Sequence, residues 1–177
     1  FKNFDLNFDI LIHADLKDFF NHISNINLTN YSLKTKDWIL QIKEWEESFN
    51  KFDGCENIST TQVNPYVFSK EISKNLPDNS KLLIDTGCSI AWLMQSLEIP
   101  ESVRVFHDCN NTAMGWSIPA AIGAYFASDR KSAVTVVTGD GSFMMTSYEL
   151  ATIMHHSIPI KIFVINNQGY SMIQQTQ

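Results

Sequence analysis

Residues 132–167 read SAVTVVTGDGSFMMTSYELATIMHHSIPIKIFVINN. Two runs of strand length, SAVTVVTGD and IKIFVINN, are apolar on both faces. Between them, TSYELATIMHH has the character of a helix, and Thr146 and Glu149 stand at the spacing of a capping box. Strands that are apolar on both faces and separated by helices belong to parallel sheets covered on both sides. Each run ends in a polar tip. The first ends in Asp140 between two glycines, and the second in the adjacent amides Asn166 and Asn167.

Working outward, the same alternation extends back to residue 63. Asn64-Pro65 reads as an N-cap followed by proline at the first helical position, with Phe68, Ile72 and Leu76 along one face. KLLIDTG is an apolar strand ending in Asp-Thr-Gly, SIAWLMQSL a helix, SVRVFHD a short strand and SIPAAIGAYFAS a helix. The expected fold is α/β, a three-layer arrangement of a parallel sheet with helices on both faces. A fragment of another α/β domain precedes it. Residues 1–27 read as the tail of a central domain, with FDILIHA as a strand and Asp15 capping a helix whose apolar face holds Leu16, Phe19, Phe20 and Ile23. Residues 28–62 read as a linker and connecting helix. SNINLTNYS and GCENISTTQ are loops around a helix from about Thr35 to Phe52. Trp38, Ile42, Trp45, Phe49 and Phe52 form a stripe on that helix, expected to pack in a core. Residues 63–177 form the main domain, expected to be incomplete on its C-terminal side, and the start at Phe1 suggests a fragment.

Hydrophobic residues make up 44% of the 177 and charged residues 18%, a globular composition. The net charge of −6 argues against nucleic-acid or anionic-membrane partners, since phosphate binding draws on clustered Lys and Arg. No apolar run is long enough to span a bilayer. Cys55, Cys88 and Cys109 have no metal-type spacing and are expected as free thiols of a cytoplasmic protein.

Ligands of open α/β sheets bind beyond the carboxyl ends of the strands, where Asp140 and Asn167 both fall. A carboxylate, an amide oxygen and backbone carbonyls make a hard site, suited to Mg²⁺ or Ca²⁺ rather than zinc. Magnesium commonly completes its shell with waters and phosphate oxygens. Gly139, Gly141 and Ser142 would let backbone N–H groups approach those phosphates. A dinucleotide fingerprint fails because Met144 occupies its third glycine position, and an Asp in a phosphate turn repels a diphosphate unless a cation bridges them. GDG alone would be an ordinary turn; paired with Asn-Asn at a matched strand end, it marks a site.

GDGSF followed by VINNQGY resembles the cofactor motif of the thiamine-diphosphate enzymes, over roughly residues 63–177 as their C-terminal diphosphate-binding domain. DILIHADLKDFFNHI resembles, more weakly, the end of the family's central domain. The resemblance implies thiamine diphosphate and Mg²⁺ as cofactors. The Asp140 and Asn167 side chains and the Gly169 carbonyl would ligate the metal. Gly139, Gly141 and Ser142 would bind diphosphate, reached also by the loop DTGCS through Gly87, Cys88 and Ser89. In NNTAMGWSIPAAIGA, Met114 falls where the family places a large apolar residue under the bent cofactor. The backbone around Thr112 and Met114 would hold the pyrimidine edge, and Tyr170 and Met172 complete the cofactor contacts. A lone Met in such a stretch is ordinarily a gap filler, and the motif alone gives it this role. His155 and His156 read as surface residues, and His107 is a candidate for substrate contact.

NNQGYSM and MGWSIPAAIGA look most like the acetolactate-synthase group, which implies decarboxylation of a 2-oxo acid with carboligation. DTGCS departs from that group, whose loop carries Gln and His, and is closer to 2-oxo-acid decarboxylases; Trp116 stands where synthases carry Phe. A non-catalytic cofactor-binding or Rossmann-like module is the remaining alternative. The family's activating glutamate lies on a pyrimidine-binding domain outside this chain, and Glu149 reads as a helix cap. No catalytic residue is therefore assigned here. The expected protein is a homodimer or homotetramer with its active site at a subunit interface, and this chain alone is expected to be inactive.

Overall fold

The structure is a computed structural model that describes residues 9–27, 35–49 and 61–177. The chain divides into two compact units, Phe1–Asn50 and Lys51–Gln177. The loops expected at 24–32 and 54–62 fall mostly outside the described residues, as do Phe52 and Cys55.

In the first unit, helix α1 (Leu16–Ser24) starts as its sequence dictates: the Asp15 carboxylate accepts from the Lys17 N–H at 2.8 Å. The strand expected in FDILIHA is not formed. Residues 9–14 carry no strand, and Ile10, Leu11 and Ile12 are exposed. A lone apolar run has no neighbour to accept its backbone bonds, so pattern by itself does not make a strand. Helix α2 (Lys36–Ser48) ends before the expected Phe52, with the Phe49 N–H donating to the Trp45 carbonyl. Its stripe forms, and the Trp38 and Trp45 rings meet edge to face at 5.6 Å. The stripe is not core: Trp38 is 58% exposed and Trp45 45%, and Ile42 and Phe49 are exposed as well. Helical spacing puts residues on one face; it does not supply what covers that face.

The second unit is built on a four-stranded sheet of β1 (Lys81–Ile84), β2 (Arg104–Phe106), β3 (Val134–Gly139) and β4 (Ile160–Ile165), in the order β2-β1-β3-β4. Every pairing is parallel. Before β1 lies α3 (Pro65–Lys74), and after it α4 (Cys88–Ser96). Helix α5 (Ser117–Phe126) connects β2 to β3. Then α6 (Asp140–Thr146) and α7 (Glu149–His155) connect β3 to β4, and α8 (Ser171–Thr176) follows. Alternate strand residues feed two cores. Leu82, Ile84 and Val137 pack with Ile72, Leu76 and Leu93 of the α3–α4 side. Leu83, Val134 and Val136 pack with Ile118 and Ala121 of α5. The sheet is therefore covered on both faces, as the strand pattern predicts, and each fully buried aliphatic side chain contributes about 1.5–3 kcal/mol. At the edge, β4 is only partly covered, with Phe163 and Val164 exposed despite their apolar pattern.

The Asn64 cap of α3 forms, its side-chain oxygen accepting from the Tyr66 N–H at 2.9 Å and the Val67 N–H at 3.4 Å. The capping box of Thr146 and Glu149 does not. The Thr146 hydroxyl donates instead to the Gly115 carbonyl at 3.0 Å, Glu149 accepts from the Thr152 hydroxyl, and α7 begins without a side-chain cap. The hydroxyl is oriented to donate to a tertiary acceptor, and its oxygen accepts from no N–H at the start of α7.

Candidate functional site

The parallel register aligns Gly139 with Ile165, so β3 and β4 release their chains at the same rim. Asp140 and Asn167 therefore come to one place from distant positions. Asp140 opens α6, and its Oδ1 accepts from the Gly141 N–H at 2.9 Å. At the tip of β4 the two amides divide their work. Asn166 Oδ1 accepts from the Gln168 N–H at 3.1 Å and holds the turn, with Gln168 at a φ of 61°. The Asn167 side chain is left to the rim. The turn then brings Tyr170 back across the start of α6, where a Cβ on Gly141 would collide with the Tyr170 ring. The sequence assigns that glycine to phosphate approach; in the fold it also leaves room for the half-exposed Tyr170 ring, which a Cβ would push aside.

The third rim segment leaves β1. Asp85 is completely buried, and Gly87 turns the chain with a φ of 82° so that Cys88 begins α4. Ser89, in the first turn of α4, places its hydroxyl beside Gly139. The fourth segment runs from Asp108 to Ser117. Thr112 takes a left-handed φ of 49° there and Gly115 one of 81°.

These four segments enclose a cavity of about 270 Å³. Every residue proposed from sequence for cofactor or metal contact lines it. Gly87, Cys88 and Ser89 come from the β1 loop, and Thr112 and Met114 from the fourth segment. Gly139, Asp140, Gly141 and Ser142 come from the end of β3, and Asn167, Gly169, Tyr170 and Met172 from the end of β4. Thr86, Ser171 and Ile173 join them without having been anticipated. His107 does not line it; its Nδ1 sits 3.0 Å from the Ile84 carbonyl oxygen. Glu149, His155 and His156 also lie outside, the two histidine rings packed against each other at 4.8 Å.

The lining has a distinctive charge balance. Asp140 is its one carboxylate, and no lysine, arginine or histidine is among the lining residues. Its remaining polar groups are hydroxyls, the Cys88 thiol, an amide and the backbone of three glycine-containing turns. A phosphorylated ligand would meet a negative group and neutral donors with no cationic side chain, which requires a metal ion between phosphate and Asp140. Oxygen donors from a carboxylate, an amide and a carbonyl are those a hard divalent cation takes. The residues present thus fit a cation-bridged diphosphate.

Sequence reasoning missed how the fourth segment is held. Asp85 accepts from the N–H groups of Thr86 and Gly115, both at 3.0 Å, and of Ser117 at 2.9 Å. Asp108 accepts from the N–H groups of Asn111 and Ala113, each at 3.4 Å. The available signal was a carboxylate directly after an apolar strand, where a buried charge demands partners.

Comparison with known proteins agrees with this geometry. The family model described as thiamine pyrophosphate enzyme, C-terminal TPP binding domain, matches residues 85–177. The mitochondrial acetolactate synthase of Schizosaccharomyces pombe is 33% identical over 144 residues, covering 80% of this chain and 21% of that protein. The acetolactate synthase large subunit of Lactococcus lactis is 30% identical over 169 residues, covering 96% of this chain and 28% of that protein. The pyruvate decarboxylase of Neurospora crassa is 37% identical over 106 residues, covering 59% and 18%. The matches thus span between 18% and 28% of the length of these relatives.

Proposed function

As the chain belongs to the thiamine pyrophosphate enzymes through their C-terminal cofactor-binding domain, we propose that its cavity holds thiamine diphosphate through a magnesium ion and that the whole protein acts on a 2-oxo acid. The observation that carries this reading is the single carboxylate in a cavity lined by no cationic side chain. Asp140, the Asn167 amide and the Gly169 carbonyl hold the metal, which neutralises the diphosphate. Gly139, Gly141, Ser142 and the start of α4, from Gly87 to Ser89, offer donors to the phosphate oxygens. Thr112 and Met114, with Tyr170 and Met172, close the cavity around the organic part and exclude water from it. Bound there, the cofactor supplies a carbon nucleophile and an electron sink for decarboxylation. No side chain lining the cavity is placed as the acid or base that activates it, so this role falls to a glutamate elsewhere in the protein.

The preferred reaction is decarboxylation with carboligation, as supported by the similarity to acetolactate synthases over most of the chain. Simple decarboxylation is the second reading, favoured by the match to a pyruvate decarboxylase and by the DTGCS loop. Exposed Met144, Met145 and Tyr148, beside the Asp140 turn, support a homo-oligomeric contact next to the site. Cys88 and Cys109 are free thiols, which supports a reducing, cytoplasmic setting; among the described residues no helix is long and apolar enough to cross a membrane.

Calorimetry on the full-length protein tests the binding reading. Asp140→Ala is expected to abolish Mg²⁺-dependent thiamine-diphosphate binding, and Asn167→Ala to weaken it strongly. Unchanged affinity in Asp140→Ala would refute the assignment. Incubation with pyruvate, followed by product identification, separates a coupled hydroxy-keto acid from a free aldehyde.

A further inference from the structure

We propose that Asp85, which does not line the cavity, is a positioning residue for the organic half of the cofactor. The inference rests on the cofactor reading above. The segment that carries Thr112 and Met114 is tied down through its backbone by two carboxylates. Asp108 takes the N–H groups of Asn111 and Ala113, and Asp85 those of Gly115 and Ser117. The residues that donate therefore alternate with Thr112 and Met114, the two that line the cavity. The inner clamp is the tighter, with distances of 3.0 and 2.9 Å against 3.4 Å for both outer bonds. A third fastening holds the same turn from the opposite side, where the Thr146 hydroxyl donates to the Gly115 carbonyl.

Asp85 is 0% exposed, and among the described residues no cationic side chain pairs with it. Its charge is met by backbone N–H groups, which have no freedom to follow a substitution. A carboxylate accepts on both oxygens. An amide accepts on one and presents an NH₂ group to the other donor, so Asp85→Asn replaces an attraction with a clash of donors. Release of Gly115 and Ser117 frees the backbone immediately after Met114. The cavity's Thr112–Met114 side then samples several arrangements, and a ligand that needs one of them binds in proportion to its population. The Gly139–Ser142 side has its own fastenings in β3 and the Asp140–Gly141 bond. Asp85 also holds the Thr86 N–H at the start of the Gly87–Ser89 turn, so its loss should act mainly on the organic half of the ligand and only weakly on the diphosphate, which keeps its other contacts.

Two probes separate those halves in the full-length protein with Mg²⁺ present: thiamine diphosphate, and inorganic diphosphate, which lacks the organic part. For Asp85→Asn, calorimetry is expected to show thiamine-diphosphate affinity lowered by about tenfold or more. Inorganic diphosphate affinity should stay within about twofold. Equal losses for both probes, or none for either, would overturn the positioning role and leave Asp85 as a fold-stabilising carboxylate. Asp108→Asn alters the outer, half-buried clamp and keeps the test available if Asp85→Asn does not fold. It should show the same selectivity at smaller amplitude, and an unselective change would count against the proposal. A wild-type protein that binds neither probe would instead sink the cofactor reading itself, and this inference with it.

Discussion

Gly115 has a φ of 81°, and a Cβ placed on it would stand 3.0 Å from Thr146 Cγ2, 3.1 Å from Met145 Cβ and 3.1 Å from the Ser142 carbonyl oxygen. Gly87 has a similar φ of 82°, yet a Cβ there would meet nothing within 4 Å. The two glycines separate conformational strain from crowding. Gly87→Ala is expected to cost only the strain, about 1–3 kcal/mol. Gly115→Ala should cost that and about 1–3 kcal/mol more for overpacking against α6, including the buried Ser142 backbone. Urea unfolding of the two variants checks the order; equal losses would mean that α6 yields to the added methyl. Neither position is distinguished by its letter in the sequence. Both are glycines after a polar turn, and only the neighbours brought by folding tell them apart.

At the level of elements, some helix starts were legible and one was not. Asn64-Pro65 names its own role, because the cap acts on N–H groups two and three residues ahead and needs nothing from the rest of the chain. Asn64→Ala should lower stability by about 1 kcal/mol, read by thermal unfolding. The Thr146–Glu149 spacing was equally suggestive, but Thr146 serves the Gly115 carbonyl. Thr146→Val should therefore leave the helix content of α7 intact in circular dichroism while costing about 1 kcal/mol through the unsatisfied carbonyl. Loss of helix signal in that variant would restore the capping box. The strand expected in FDILIHA failed for the converse reason: a strand is completed by a neighbour, and the described residues 9–14 have none.

On the scale of the whole molecule, the proposed reading gives the chain one half of a division of labour. Its cavity is lined by the proposed metal ligands and phosphate donors, and by no side chain proposed to move a proton. The chain by itself, supplied with Mg²⁺, thiamine diphosphate and pyruvate, is expected to release no CO₂ above background, while the full-length protein does. Steady turnover by these 177 residues would place an activating group among them. Met144 and Tyr148 are exposed and close in sequence to Asp140, the proposed metal ligand, which is where the proposed oligomeric contact would form.

From the sequence alone came the alternation of strands and helices, the parallel sheet and the two polar tips at strand ends. These follow from periodicity and from short-range chemistry, in which each residue acts on neighbours a few positions away. Thirteen of the sixteen cavity residues were also nameable, because the motifs that carry them are local strings. Tertiary structure alone decided which partners those strings would meet. It set the register that brings Asp140 level with the Asn-Asn turn and laid Tyr170 over Gly141. It also buried Asp85 against N–H groups 30 and 32 residues away. A hydrogen bond of that span depends on the packing of β1 beside the start of α5, and no pattern read along the chain contains that distance.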